Sequence, residues 1–164
     1  MSLNKKVREL LHLEEVDYKV LSHEEAFSAQ EVAAESDVPG WKLAKVLVLR
    51  RGNGTYQMIV LPAPAHLALA RYREESGDPH ADLANEIELG RLFPDCEVGA
   101  MPPFGNLYGM SVAIDSCLLH GGDFFFQAGN HHQIVRMRYE DYDRIVRPSV
   151  HSLCDVHHAA LVGA

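Results

Sequence analysis

The chain has 164 residues, 47% hydrophobic and 23% charged, with a formal net charge of −8 when its ten histidines are neutral. That length suits one domain able to bury its own core. The acidic balance argues against non-specific binding along a nucleic-acid backbone, DNA included, while leaving room for a small basic patch. Cys96, Cys117 and Cys154 are odd in number, widely spaced and without a C-x-x-C pair. They therefore suggest neither a disulfide framework nor a zinc ribbon, and they fit the reduced thiols of a cytoplasm.

The N-terminal stretch M-S-L-N-K-K-V-R-E-L-L-H-L lacks the apolar core of a signal peptide. No apolar run approaches the roughly 20 residues of a membrane span. Both points lead us to expect a cytoplasmic, membrane-free protein.

Residues 3–14 read as a helix, with Leu3, Val7, Leu10 and Leu11 at helical spacing. D-Y-K-V-L, 17–21, alternates as a short strand. Ser28 and Glu31 form a capping-box pattern, and the helix it opens should stop before Pro39-Gly40. K-V-L-V-L-R and Y-Q-M-I-V-L-P flank R-G-N-G-T, so an Asn-Gly turn joins two strands as a hairpin. Helices are expected over 66–76, ending at Gly77, and over 84–92, ending before Pro94. S-V-A-I-D, F-F-F-Q-A and Q-I-V-R-M-R read as strands, and 139–146 as a closing helix. The tail after Pro148 reads as a short extra helix or as poorly ordered chain. Strands and helices mix without regular β-α-β alternation, which favours an α+β fold with a mixed sheet and helices around it.

Three places stand out as candidates for chemistry. Lys45 sits at the mouth of a strand, on the opposite side from Val46 and Val48 if the strand alternates. Such a lysine either snorkels to the edge or points into a polar cleft, and Lys42 reads as the surface member of the pair. Between Val98 and Met110 runs V-G-A-M-P-P-F-G-N-L-Y-G-M, uncharged and hinged by glycines. A loop of this kind is either a structural turn or a preorganised set of backbone donors that stabilises developing negative charge. In A-G-N-H-H-Q, 128–133, Asn130, His131 and His132 either contact a substrate or decorate a hairpin. The C-terminal H-S-L-C-D-V-H-H would place Cys154 with His151, His157 and His158 on one helix face, but it matches no closed zinc pattern. There is no G-x-S-x-G, no G-x-x-x-x-G-K and no H-E-x-x-H.

The order of segments resembles the YbaK family, whose domain is also found in some bacterial prolyl-tRNA synthetases. The matching stretches are S-H-E-E-A-F-S-A-Q-E-V-A-A, L-A-K-V-L-V-L, M-I-V-L-P-A and L-A-N-E-I-E-L-G-R-L-F-P-D-C-E-V-G-A-M-P-P-F-G-N. F-F-Q-A-G-N-H-H-Q-I-V-R-M and Y-E-D-Y follow, so the likeness covers roughly 16–148. It implies a mixed, partly barrel-like sheet surrounded by helices, forming an editing domain over 1–148 with a tail over 149–164 outside the likeness. It also implies hydrolysis of the ester that joins a wrong, small amino acid to the 3′ end of a tRNA, with no cofactor or metal. Partners would be the acceptor end of an aminoacyl-tRNA and an aminoacyl-tRNA synthetase.

The family's lysine maps onto Lys45, and its G-x-x-x-P loop onto Gly99 and Pro103. Gly99 and Ala100 would then donate amides to the ester oxygen. Met101, Pro103, Phe104 and Gly105 would shape a small apolar pocket, and His23, Asn130 and His131 would supply further walls. Pro102 stands where several relatives carry a serine, which removes a hydroxyl and a backbone donor. A non-catalytic module that binds an aminoacyl-nucleotide-like ligand or a protein partner is the alternative.

Overall fold

The Asn-Gly hairpin becomes the centre of an eight-stranded sheet. The computed structural model describes residues 3–23, 38–119 and 121–155. Its elements in chain order are α1 (Lys5–Leu13), β1 (Tyr18–Ser22), β2 (Leu43–Arg50), β3 (Tyr56–Pro62), α2 (Leu69–Ser76) and β4 (Asp82–Leu83). They continue with α3 (Glu86–Leu92), β5 (Ser111–Asp115), β6 (Asp123–Gln127), β7 (Gln133–Arg138), α4 (Tyr139–Val146) and β8 (Ser149–His151). Short 3-10 turns cover Gly40–Lys42, Gly105–Leu107 and Ser116–Leu118. The Ser28–Glu31 capping box and the helix expected after it lie outside the described residues, as do His157 and His158.

The strand order is β1-β7-β6-β2-β3-β5-β8, with β4 pairing the far end of β2. Antiparallel pairs (β1–β7, β6–β7, β2–β3) stand beside parallel ones (β2–β6, β3–β5, β5–β8), so the sheet is mixed as expected. Successive strand residues point to opposite faces, and here each face has its own core. On the inner face Ala44, Val48, Met58, Val60, Val112, Ile114, Phe124 and Phe126 pack against Val7 and Leu11 of α1 and Tyr139 and Tyr142 of α4. On the outer face Leu49, Ile59, Leu61, Ala113 and Cys117 pack with Leu153 and Cys154, and Leu69 and Tyr72 of α2 lean on them.

Helix ends follow their local chemistry. Asn4 caps α1 by accepting the Val7 N–H at 3.2 Å, and α2 closes on Gly77 at φ +69°, a conformation glycine adopts without a Cβ penalty. Asn85 and Glu88 form a reciprocal capping box at the start of α3, a pattern legible in N-E-I-E. α2 begins at Leu69 rather than 66, because Leu67 is taken up in a bridge to Cys154.

The tail departs most from expectation. Residues 149–151 are neither helix nor loose chain: they form β8, parallel to β5, and the chain then runs beside His66 and Leu67. The cause is Asp115. Its buried carboxylate accepts the N–H groups of Leu153 at 2.7 Å, Cys154 at 3.2 Å and Cys117 at 2.9 Å. Burial alone would raise its pKa, but the Leu153 and Cys117 amides and the neighbouring thiols overcome that and hold it below the usual carboxylate range.

Candidate active site

Two of the three stretches marked in the sequence are fastened together. The Gly129 N–H donates to the Ala100 carbonyl at 2.8 Å, and the Glu97 N–H donates to the Gly129 carbonyl at 2.8 Å. The His131 N–H donates to Glu97 Oε2 at 2.9 Å, and its ring Nε2–H donates to the Val98 carbonyl, also at 2.9 Å. A carbonyl can only accept, so that bond fixes Nε2 as the protonated ring nitrogen. Gly129 sits at φ +100°, and a Cβ there would stand 3.0 Å from the Asn4 Cβ. Only glycine allows so close an approach. Asn4 adds its own ties: its N–H donates to the Ala128 carbonyl at 3.1 Å, and Nδ2 donates to Asp95. His23 joins from the β1 side, its N–H donating to the His132 carbonyl at 2.8 Å.

The loop is also held from behind. Tyr142 Oη, fully buried, donates to the Pro103 carbonyl at 2.7 Å. Phe104 is fully buried and meets Phe126 and Tyr142 edge-on, with centroids 5.3 and 5.4 Å apart. Such aromatic pairs contribute about 0.5–1.5 kcal/mol each beyond their buried area. A Cβ on Gly105 would fall 2.6 Å from the Met110 carbonyl oxygen.

These facts reassign several expected roles. Phe104 and Gly105 are foundations of the loop rather than pocket wall, because their surfaces face the core. Met101 is buried as well, and its Sδ receives the Gly99 N–H at 3.3 Å. The Ala100 N–H is committed to the Glu97 carbonyl at 3.0 Å, so it is not an open oxyanion donor. Gly99, exposed and at φ +90°, keeps an amide whose partner is a weakly accepting thioether. Asn130 is a strut: Oδ1 accepts the His132 N–H at 2.9 Å and Nδ2 donates to Gln133 at 3.0 Å.

Lys45 reaches this end of the sheet by register. In the parallel β2–β6 pair, Ala44 lies level with Phe126. Lys45 is therefore level with Gln127, where β6 gives way to A-G-N-H-H. It projects from the outer face, directly across from Leu61 of β3. Among the described residues no hydrogen bond or ion pair joins Lys45 to the 98–105 loop. Lys45 is half-buried, and that burial pulls its ammonium below the ordinary lysine range.

Gln127 joins this face only in the folded chain. It is 5% exposed, shares the outer face with Lys45, and its buried amide nitrogen has no hydrogen-bond partner among the described residues. The single polar residue in F-F-F-Q-A was the available signal. Three of the arginines have carboxylate partners: Arg136 with Asp123, Arg138 with Glu140, and Arg144 with Glu14 and Asp141. Among the described residues no cluster of three or more His, Cys, Asp or Glu side chains is placed to hold a metal, and no helix is long and apolar enough to cross a membrane.

Known proteins share this fold. Among curated proteins none is similar enough in sequence to count as a relative. Among solved structures, the hypothetical protein APE2540 is 20% identical with a TM-score of 0.81, covering 92% of this chain and 100% of that one. A candidate trans-editing enzyme for prolyl tRNA synthetase is 18% identical with a TM-score of 0.78, covering 93% of this chain and 97% of that one. A candidate signal transduction protein from Marinobacter aquaeolei VT8 is 14% identical with a TM-score of 0.73, covering 93% of this chain but 31% of that one. At these identities the likeness speaks for the fold. The family model for the aminoacyl-tRNA editing domain matches residues 23–145, three-quarters of the sequence, and the chain therefore belongs to the aminoacyl-tRNA editing domain family.

Proposed function

We propose that this protein is a deacylase that hydrolyses the ester between a small, wrongly attached amino acid and the 3′ end of a tRNA. The observation that carries this reading is the fastening of the Gly99–Pro103 loop to the Ala128–His132 segment at the end of β6, level with Lys45.

An aminoacyl ester is already activated, so positioning and charge stabilisation suffice. The Gly99 N–H donates to the ester carbonyl oxygen and follows it as it becomes an oxyanion. Lys45 supplies positive charge to that oxygen or to the terminal phosphate. Water attacks the carbonyl carbon; attack by the neighbouring ribose hydroxyl instead only moves the ester to that oxygen, and water must then cleave it. Collapse of the adduct expels the 3′ oxygen, which takes the proton, and the acid and the tRNA hydroxyl separate. No described side chain is committed as general base. Pro103 and the backbone of the loop set the pocket's size, the selection that a synthetase performs only weakly against a smaller substrate.

The acidic net charge favours contact limited to the acceptor end, and Arg136, Arg138 and Arg144 are matched by neighbouring carboxylates. A synthetase is the proposed recruiting partner, by analogy with the neighbour named for prolyl-tRNA synthetase, and the cytoplasm is the proposed setting. The test is deacylation of tRNAs carrying alanine, serine, cysteine and larger residues by wild type and Lys45→Ala. We expect turnover of one or more small aminoacyl esters, lost in the variant. If no ester is cleaved faster than in buffer, the protein is a binding module instead.

A further inference from the structure

Beyond the stretch matched by the editing family, the chain returns to the face that carries Lys45. We infer that this C-terminal strap, residues 152–155, forms one wall of the Lys45 site, and that the Asp155 carboxylate is a positioning charge for the Lys45 ammonium. The inference deepens the proposed function, since it rests on Lys45 being the site's cation.

The geometry is built from register and hydrogen bonds. Lys45 lies directly opposite Leu61, and cross-strand partners share a face. Leu61 packs in one cluster with Ala65, Leu153 and Cys154. The strap is held there at four points. Cys154 bridges Leu67, the Asp155 N–H donates to the His66 carbonyl at 3.0 Å, Arg71 reaches the Ser152 and Cys154 carbonyls at 3.0 and 2.7 Å, and Asp115 accepts the Leu153 and Cys154 amides. A backbone pinned in this way holds the residue-155 side chain beside the outer face, with that side chain free of structural duty. Asp155 is exposed, and among the described residues no hydrogen bond to its carboxylate holds the strap.

Charge selects Asp155 among the groups nearby. The two groups that act on Lys45 against the effect of burial are Cys154 and Asp155. Burial pushes the Cys154 thiol far above its ordinary range, so it is uncharged at neutral pH. Asp115 lies behind Cys154 and is saturated by amide donors. Lys42, the like charge on the neighbouring turn, is drawn over the Trp41 ring at 5.2 Å. Arg71, spent on the Ser152 and Cys154 carbonyls, is a second like charge at this corner, and the nearby His66 and Cys117 add no carboxylate. Asp155 is left as the anion that favours a charged, oriented Lys45 in a partly desolvated position.

The experiment follows Lys45 directly. Lysines are 13C-dimethylated and titrated by NMR in wild type, Asp155→Asn and Asp155→Glu, with Lys45→Arg assigning the signal. We expect the Lys45 midpoint to fall in Asp155→Asn and to return in Asp155→Glu, with the other lysines unmoved. On a cleavable ester, Asp155→Asn should lose about 1.5- to fivefold in kcat/KM on the alkaline side only, the span of an exposed charge pair. An unmoved Lys45 midpoint in Asp155→Asn, or a loss that is uniform with pH, overturns the inference. Asp155→Ser, tested alongside, repeats the charge removal with a different side chain and must move the midpoint in the same direction. Because the titration needs no substrate, failure of the deacylase reading shows as absent turnover in wild type and is read separately.

Discussion

Tyr142→Phe removes one oxygen from the molecule and tests whether the loop is positioned from the core. The ring stays, with its edge-on contact to Phe104 and its closer contact to Phe124 at 4.4 Å. What is lost is the 2.7 Å hydrogen bond to the Pro103 carbonyl. Both partners are buried, so no water replaces the hydroxyl, and the carbonyl is left unpaired. A net hydrogen bond contributes about 1 kcal/mol, and an orphaned buried acceptor costs about 1–3 kcal/mol. At roughly 2–4 °C per kcal/mol for a chain of this size, Tm should fall by about 2–12 °C. Urea unfolding should show the same loss at an unchanged m-value. The Pro103 carbonyl terminates the G-x-x-x-P loop, so kcat/KM for ester cleavage should fall about three- to tenfold, with the loss in kcat, since a misplaced donor costs rate more than binding. A stability loss below about 0.5 kcal/mol would refute the claim that the carbonyl depends on this donor. Full activity at reduced stability would refute the claim that Tyr142 positions the loop.

Further variants probe other links in the same structure. Gly129→Ala places a Cβ 3.0 Å from Asn4 at φ +100°, so it should cost about 2 kcal/mol or more and abolish cleavage together with the His131 ties; thermal melts and deacylation assays check both. Lys45→Met should abolish cleavage yet raise stability slightly, by about 0.5 kcal/mol after allowing for its half exposure. The sign follows from its lowered pKa: the folded state binds the proton less well, so the penalty is present below the folded pKa and relieved above the ordinary lysine value. Asp115→Asn should cost about 2 kcal/mol at pH 7 by weakening the strap. Its folded pKa is depressed, so its contribution is present above about pH 4 and lost as pH falls through the folded value; acid unfolding should therefore be shallower in the variant.

The fold was largely legible because its signals are local. The Asn-Gly turn with two β-rich flanks predicts β2 and β3, and the helical spacing of Tyr139, Tyr142 and Val146 predicts α4. What escaped depends on partners distant in sequence. Phe104 looks like a pocket residue in P-P-F-G, and only Phe126 and Tyr142 reveal that it faces the core. Residues 149–155 lack an apolar alternation, so nothing local marks β8; the amide-hungry Asp115, 38 residues from Leu153, makes it a strand. Lys45, Gly99 and His131 stand out by residue type, but the fastening of His131, its backbone N–H to Glu97 and its ring to Val98, appears only in the fold. Gln127 carried a signal too small to weigh against three phenylalanines.

The uncharged character of V-G-A-M-P-P-F-G-N-L-Y-G-M now has a physical reason. An amide stabilises a developing oxyanion only if it is already aimed, because reorganising a loop during the reaction returns the gain as lost entropy. Here the aim is set from three directions: Gly129 grips Ala100, His131 grips Val98, and Tyr142 grips Pro103. Pro102 and Pro103 restrict the chain between those grips before any ligand arrives. Pro102 has neither a backbone donor nor a hydroxyl, so in the proposed mechanism donation rests on Gly99. The proposed site, with the Gly99 amide, a half-buried ammonium and no side-chain hydroxyl between Val98 and Gly105, would discriminate by volume more than by hydrogen bonding. It follows that substrates should sort by side-chain size, with alanine and serine esters, nearly equal in volume, cleaved at rates within about tenfold of each other. A hundredfold preference between those two esters would mean that a polar group outside the loop reads the hydroxyl, and Gln127, with its unpaired amide nitrogen on the Lys45 face, is the residue to replace first.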